Sequence, residues 1–193
     1  MEKILCIVGE SGAGKDTLAT SIINTDKSNI VYKQYKFAAP SKRVFERLYG
    51  LREGFMDDRV ARTRICLGGQ TSYLQRFIFW FHNQHQIFPP GMFLNLALKE
   101  LITDVNVVHT AIYTDLRTPH EANSLVKFCD KFNVELRPIL IINPSSEPQT
   151  SDLHLDLNLS ILSHSSKARP TILVMNSIDT PIEQITVPLL KHL

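Results

Sequence analysis

The feature that most constrains this chain is its opening, Ile4-Leu5-Cys6-Ile7-Val8 followed at once by Gly9-Glu10-Ser11-Gly12-Ala13-Gly14-Lys15. A short apolar run rich in β-branched residues and closed by glycine suits a strand buried on both faces of a parallel sheet. Leu18, Ile22 and Ile23 then recur at helical spacing, which predicts a helix from about Lys15 to Asn24. Glycines between such a strand and helix let successive backbone N–H groups turn inward around a phosphate. The helix N-terminus adds roughly half a positive charge along the same axis. The spacing is GxxxxGK, and Lys15 supplies a point charge for the β- and γ-phosphates of a nucleotide. The alternative is a glycine-rich turn with no ligand, but a turn has no use for a lysine at that register.

The residues after Lys15 depart from the commonest pattern. Asp16 stands where Ser or Thr usually meets magnesium, and the hydroxyl moves to Thr17. Asp16 can hold Mg²⁺ directly or through a water, because Mg²⁺ takes oxygen ligands and keeps several waters. Equally, it can be a first-turn residue favoured by the helix dipole. Thr17 is then placed for the α-phosphate.

Further along, strand-like and helix-like runs alternate. Strands are expected at Val31–Phe37, Val105–Tyr113, Leu136–Ile142 and Thr171–Met175, with helices at Lys42–Tyr49, Pro119–Phe132 and Pro181–Leu193, the last interrupted at Pro188. The middle, 51–101, reads as helical, broken at Pro89-Pro90-Gly91. The polar stretch 143–168 reads as a loop or lid with room for one helical turn. This alternation predicts an α/β fold, a doubly wound parallel sheet, in one domain over 1–193 with a helical insert at about 41–101. Ligands in such sheets sit beyond the carboxyl ends of the strands, where Gly9 and Asp115 both fall. Phe77–Phe81 is read as a packing surface rather than a base-stacking platform. His82 and His85 lack a third ligand and are read as polar surface.

Composition excludes several classes. The 193 residues are 44% hydrophobic and 21% charged, with a formal charge of +2, too small for a duplex-binding surface, so no nucleic-acid polymer is expected as partner. Cys6, Cys66 and Cys129 share no zinc-ligand spacing and point to a reducing compartment. No run of 18 apolar residues occurs and no signal peptide is evident, so neither a membrane span nor secretion is expected.

Gly14-Lys15-Asp16-Thr17 resembles the variant found in nucleoside monophosphate kinases, and more closely that of bacteriophage deoxynucleoside monophosphate kinases. Tyr35–Lys42 (YKFAAPSK), Arg62–Gly68 (RTRICLG), Thr114–Glu121 (TDLRTPHE) and Val174-Met175-Asn176 are similar to segments of that family in the same order. The resemblance implies a P-loop NTPase fold, ATP and Mg²⁺ as cofactors, a deoxynucleoside monophosphate (dNMP) as substrate, and Asn176 in a nucleotide-proximal loop. It also implies a cytoplasmic location, that of the host cell if the source is viral. The chain departs from the family at His154-Leu155-Asp156-Leu157, where members often carry His-x-Ser-Glu.

Phosphoryl transfer needs positioning and charge neutralisation more than covalent chemistry. Residues 9–17 (Gly9, Ser11, Gly12, Ala13, Gly14, Lys15, Asp16 and Thr17) are assigned to the donor's phosphates, and Asp16 and Asp115 to the metal. Arg117 is the first choice to flank the transferring group, against a surface ion pair with Glu121. Arg62 and Arg64 are a second pair, against a solvated basic face, and Arg76 a third choice. Lys42 and Arg43, at a helix start, suit an acceptor's 5′-phosphate or ordinary surface charge. Tyr35, Phe37 and Trp80 are candidates to stack on a base. No general base stands out, which suits a phosphate acceptor already ionised near neutral pH. A kinase of another small phosphorylated metabolite and an idle nucleotide-binding module remain as alternatives. A GTPase is disfavoured by the lack of an Asn-Lys-x-Asp segment, and homodimerisation is left open.

Overall fold

The computed structural model describes residues 1–66, 68–83, 88–89, 91–145, 155–177 and 180–193. In chain order the elements are β1 (Lys3–Val8), α1 (Lys15–Thr25), β2 (Tyr32–Tyr35), α2 (Ala39–Leu48), α3 (Tyr73–Asn83), α4 (Met92–Thr103), β3 (Thr110–Tyr113), α5 (Pro119–Phe132), β4 (Glu135–Ile142), α6 (Leu155–Ser163), β5 (Ile172–Met175) and α7 (Ile182–Leu190). They form two compact units, Met1–Lys36 with Glu100–Leu193, and Phe37–Lys99.

The first unit is a parallel five-stranded sheet in the order β2-β3-β1-β4-β5. β1 is central because its apolar run can be buried on both faces: Ile4, Leu5, Cys6 and Ile7 are wholly buried. Alternate residues then sort by face. Leu5, Ile7, Ile112, Ile139, Ile141 and Val174 meet Leu18 and Ile22 of α1 and Leu189 of α7 in one core. The buried Thr186 hydroxyl donates to Ser21 Oγ at 2.8 Å, which ties α7 to α1.

The second unit is built on aromatics. Phe45, Met56 and Phe77 form its buried centre, with Tyr73, Leu74 and Trp80 packed around them. Phe45 meets Phe77 edge-on at 5.4 Å, and Trp80 meets Phe93 at 5.8 Å, the edge-on geometry that aromatic quadrupoles favour. Glu46, only 3% exposed, accepts from the amides of Met56 at 2.8 Å and Gly54 at 3.2 Å. That carboxylate fixes the 3₁₀ turn Phe55–Asp57, and a second such turn follows at Ala61–Thr63.

Several elements differ from the sequence expectation. β3 begins at Thr110 rather than Val105, because the amides of Val107 and Val108 turn back to Asp104 O and close α4. α2 begins at Ala39 and takes Pro40 into its first turn, where a missing N–H costs nothing. Much of 51–72 is turn rather than long helix. Part of the expected loop 143–168 is α6, nine residues long, which buries Leu162 and Asn158. α7 runs through Pro188 to Leu190. Phe77 and Trp80 do pack, whereas Phe79 on the same helix is exposed. Leu67, His85, Pro90, His154 and the rest of 146–154 lie outside the described residues.

Candidate nucleotide-binding site

The phosphate loop leaves the carboxyl end of central β1 and enters α1 with no intervening element. Its glycines are required by the packing. A Cβ at Gly9 would stand 2.3 Å from the Ile141 carbonyl oxygen on β4, closer than any side chain allows. Gly14 caps α1 at φ 97° in the left-handed region, and a Cβ there would stand 2.6 Å from Asn176 Nδ2. Around Gly12, by contrast, nothing lies within 4 Å of where a Cβ would be. The turn is closed by the Ala13 amide on Glu10 O at 3.2 Å and by Leu18 N on Gly14 O at 2.9 Å.

Lys15 folds its ammonium back over the loop, donating to Gly9 O at 2.7 Å and Glu10 O at 2.6 Å. Asn176, just past β5, donates its side-chain amide to Ala13 O at 2.8 Å and its backbone amide to Ile142 O at 2.8 Å. The position assigned to a nucleotide-proximal loop thus braces the phosphate loop itself.

Asp16 is the centre of a polar cluster at the same end of the sheet. Its Oδ1 accepts from Thr114 Oγ1 at 2.7 Å and Gln34 Nε2 at 2.8 Å, and Lys36 Nζ lies 3.5 Å away. Gln34 also donates to Thr114 Oγ1 at 2.9 Å, so the three side chains close a triangle. Partial burial pushes the Asp16 carboxyl up, but the Thr114 hydroxyl, the Lys36 charge and the Gln34 amide outweigh it and hold the group below its usual range. Asp16 is therefore ionised at neutral pH.

Asp115 follows β3 and is half-buried, and its charge is felt at Tyr113, Cys6 and Glu121. Glu121 serves the start of α5: its Oε2 accepts from the amides of Arg117 at 2.8 Å and Thr118 at 2.9 Å, completing a capping box with Pro119 in the first turn. Burial, then Asp115, raise the Glu121 carboxyl above its ordinary value despite those two bonds. Arg117 is exposed at the corner that this cap creates. A cleft of about 420 Å³ adjoins the loop, lined by Asp16, Thr17, Thr20, Ser21 and Asn24 on one side and Glu183 on the other.

The remaining candidates, Tyr35 apart, lie in the second unit. Lys42 pairs with Asp57 at 2.7 Å, and Arg43 is half-buried beside it in sequence. Arg76 Nε donates to Thr71 Oγ1 at 3.1 Å, and Arg64 is exposed. Arg62 Nε is buried and has no hydrogen-bond partner among the described residues. Phe37 is 4% exposed and Tyr35 5%, the latter stacked on Tyr113 and donating to Asp104 at 2.8 Å.

Gln34, Thr114 and Lys36 escaped the reading of the sequence. Thr114 left one signal, a hydroxyl at a strand end next to Asp115. Gln34 left none, because only the pairing of β2 with β3 brings it to Asp16. Cys6, Cys66 and Cys129 are buried free thiols, and burial pushes Cys129 up to about 12. No helix among the described residues is long and apolar enough to cross a membrane.

The residues fit a bound polyphosphate and its cation on three observations. The glycines tolerate no Cβ where the loop packs, the space over Gly12 is open, and Asp16 offers hard carboxylate oxygens of the kind Mg²⁺ prefers.

No family model matches the sequence, and no curated protein matches it. Among solved structures the chain is similar to the tunicamycin resistance protein of Deinococcus radiodurans, with a TM-score of 0.51 and 11% identity over 100% of this chain and 95% of that one. It is more distantly similar to a gluconokinase from Sinorhizobium meliloti 1021, with a TM-score of 0.42 and 12% identity over 98% and 90% of the two chains. Sheet order, the position of the glycine loop after the central strand, and the first of these likenesses together give the conclusion that this chain has the α/β P-loop NTPase fold.

Proposed function

We propose that this protein is a phosphotransferase that moves the γ-phosphoryl group of ATP to a deoxynucleoside 5′-monophosphate, ATP + dNMP → ADP + dNDP. The observation that carries the reading is the loop Gly9–Thr17, with Lys15 folded over it and an ionised Asp16 at its exit. Its amides and the α1 N-terminus hold the donor's β- and γ-phosphates, and Lys15 exchanges its loop carbonyls for phosphate oxygens. Asp16 and Asp115 would hold Mg²⁺, directly or through water, and the ion would supply charge neutralisation for the transferring phosphate. Thr17 meets the α-phosphate, and the cleft along α1 that continues from it is large enough for a nucleoside.

Arg117 stabilises the transferring group. Within the second unit, Arg62 is assigned to the acceptor's phosphate, since a buried guanidinium nitrogen without a partner among the described residues is what a phosphate oxygen would satisfy. Arg64, Arg76, Lys42 and Arg43 add positive charge for the acceptor's phosphate, and Phe37 belongs to its base pocket. An ionised phosphate acceptor needs no general base. The ordered segments that resemble deoxynucleoside monophosphate kinases support the acceptor class.

A coupled ADP-release assay over a panel of dNMPs, NMPs and other phosphorylated metabolites tests this. Turnover is expected with one or more dNMPs. Turnover confined to a non-nucleotide acceptor would refute the substrate class, and binding of Mg·ATP without turnover on any acceptor would refute catalysis.

A further inference from the structure

Three side chains that the phosphotransfer reading does not use converge on one oxygen. Thr114 Oγ1 donates to Asp16 Oδ1, Gln34 Nε2 donates to that same Oδ1 and to Thr114 Oγ1, and Lys36 stands 3.5 Å off. They come from different places in the chain: Gln34 from β2, Lys36 just after it, Thr114 from the end of β3, and Asp16 from the first turn of α1. A short carboxylate on an exposed first turn has several rotamers open to it, and nothing about helix geometry selects one. The triangle does, because a side chain tied to two neighbouring strands cannot rotate without breaking both bonds.

We propose that Gln34 and Thr114 are positioning residues that fix Asp16 through Oδ1 and so present Oδ2 to the hydrated magnesium ion of Mg·ATP. The proposal rests on the phosphotransfer reading. Lys36 balances the carboxylate's charge before the metal complex arrives. The chemistry requires such a device here. A serine or threonine directly after the loop lysine would be oriented by its short side chain alone, whereas a carboxylate one bond longer needs outside partners. Partners that orient a metal ligand act on metal affinity, and their loss weakens it by about 10- to 100-fold.

The test is calorimetry of ATP binding with Mg²⁺ and with a chelator present, taking the ratio of the two affinities for each variant. Thr114→Val keeps the shape and removes the hydroxyl, Thr114→Ser restores a hydroxyl, and Gln34→Leu removes the amide. Expected is a fall in the Mg²⁺-dependent ratio of about 10-fold or more in Thr114→Val and Gln34→Leu, near-wild-type behaviour in Thr114→Ser, and unchanged affinity for metal-free ATP in all three. Should Thr114→Val not fold, Gln34→Leu reads the same ratio at a half-buried site. A wild-type ratio in the folded variants overturns the clamp and leaves the nucleotide site standing. Wild-type protein that binds no ATP in either condition overturns the nucleotide reading and the clamp with it.

Discussion

Replacing Lys15 by alanine separates the chemistry of the loop from its stability. The ammonium is half-buried and makes bonds of 2.7 and 2.6 Å to Gly9 O and Glu10 O. Hydrogen bonds to a charged group are worth about 1.5–3 kcal/mol each, but the loop is open enough for water to replace a lost donor. The net cost to folding is therefore about 1–3 kcal/mol, which in a domain of this size lowers Tm by roughly 2–12 °C. Binding loses one charge-assisted contact to phosphate, about 10- to 150-fold in Kd for Mg·ATP. Transfer suffers more, because charge develops on the phosphoryl oxygens where Lys15 would stand. Loss of a preorganised donor costs about 10²–10³ in kcat. Differential scanning calorimetry, titration calorimetry and the ADP-release assay measure the three quantities on one preparation. Wild-type kcat in a folded Lys15→Ala protein would refute the assignment of the active site.

Two further outcomes follow from packing and charge. Gly9→Ala places a Cβ 2.3 Å from the Ile141 carbonyl oxygen, so β1 and β4 must part, and a loss of about 1–3 kcal/mol should appear in urea unfolding; unchanged stability would contradict the close approach. For Glu121 the folded carboxyl titrates above its ordinary 4.5, mainly through burial and then through Asp115. Between those two values the native state binds more protons than the unfolded chain, so Glu121 makes stability fall as pH rises from 4.5. Glu121→Gln keeps a side-chain carbonyl for the α5 cap and should flatten the Tm–pH curve in that window. An unaltered slope would show that the group titrates normally.

The reach of the sequence can be judged element by element. Ile4–Val8 reads as a buried strand and proves to be the centre of the sheet, because an uninterrupted apolar run can be stable only with a layer on each face. The start of α5 was legible as well, since Thr118, Pro119 and Glu121 form a local capping box whose geometry needs no distant residue. Val105–His109 misled because β-branched composition does not reveal where a preceding helix will close. Within 143–168 the polar residues hid α6, which is held by seating Leu162 in the core rather than by propensity.

By itself, then, the sequence determined the loop: which residues turn and where the helix starts. These are short-range matters, set by backbone freedom and by the few residues between one strand and one helix. Tertiary structure alone decided that Gly9 must lie against β4, that Asn176 braces Ala13 from across the sheet, and that Gln34 and Thr114 share the Asp16 oxygen. Those contacts join residues from 18 to 163 positions apart. Only the parallel pairing of strands fixes which side chains meet there, because no local periodicity encodes which strand lies next to which.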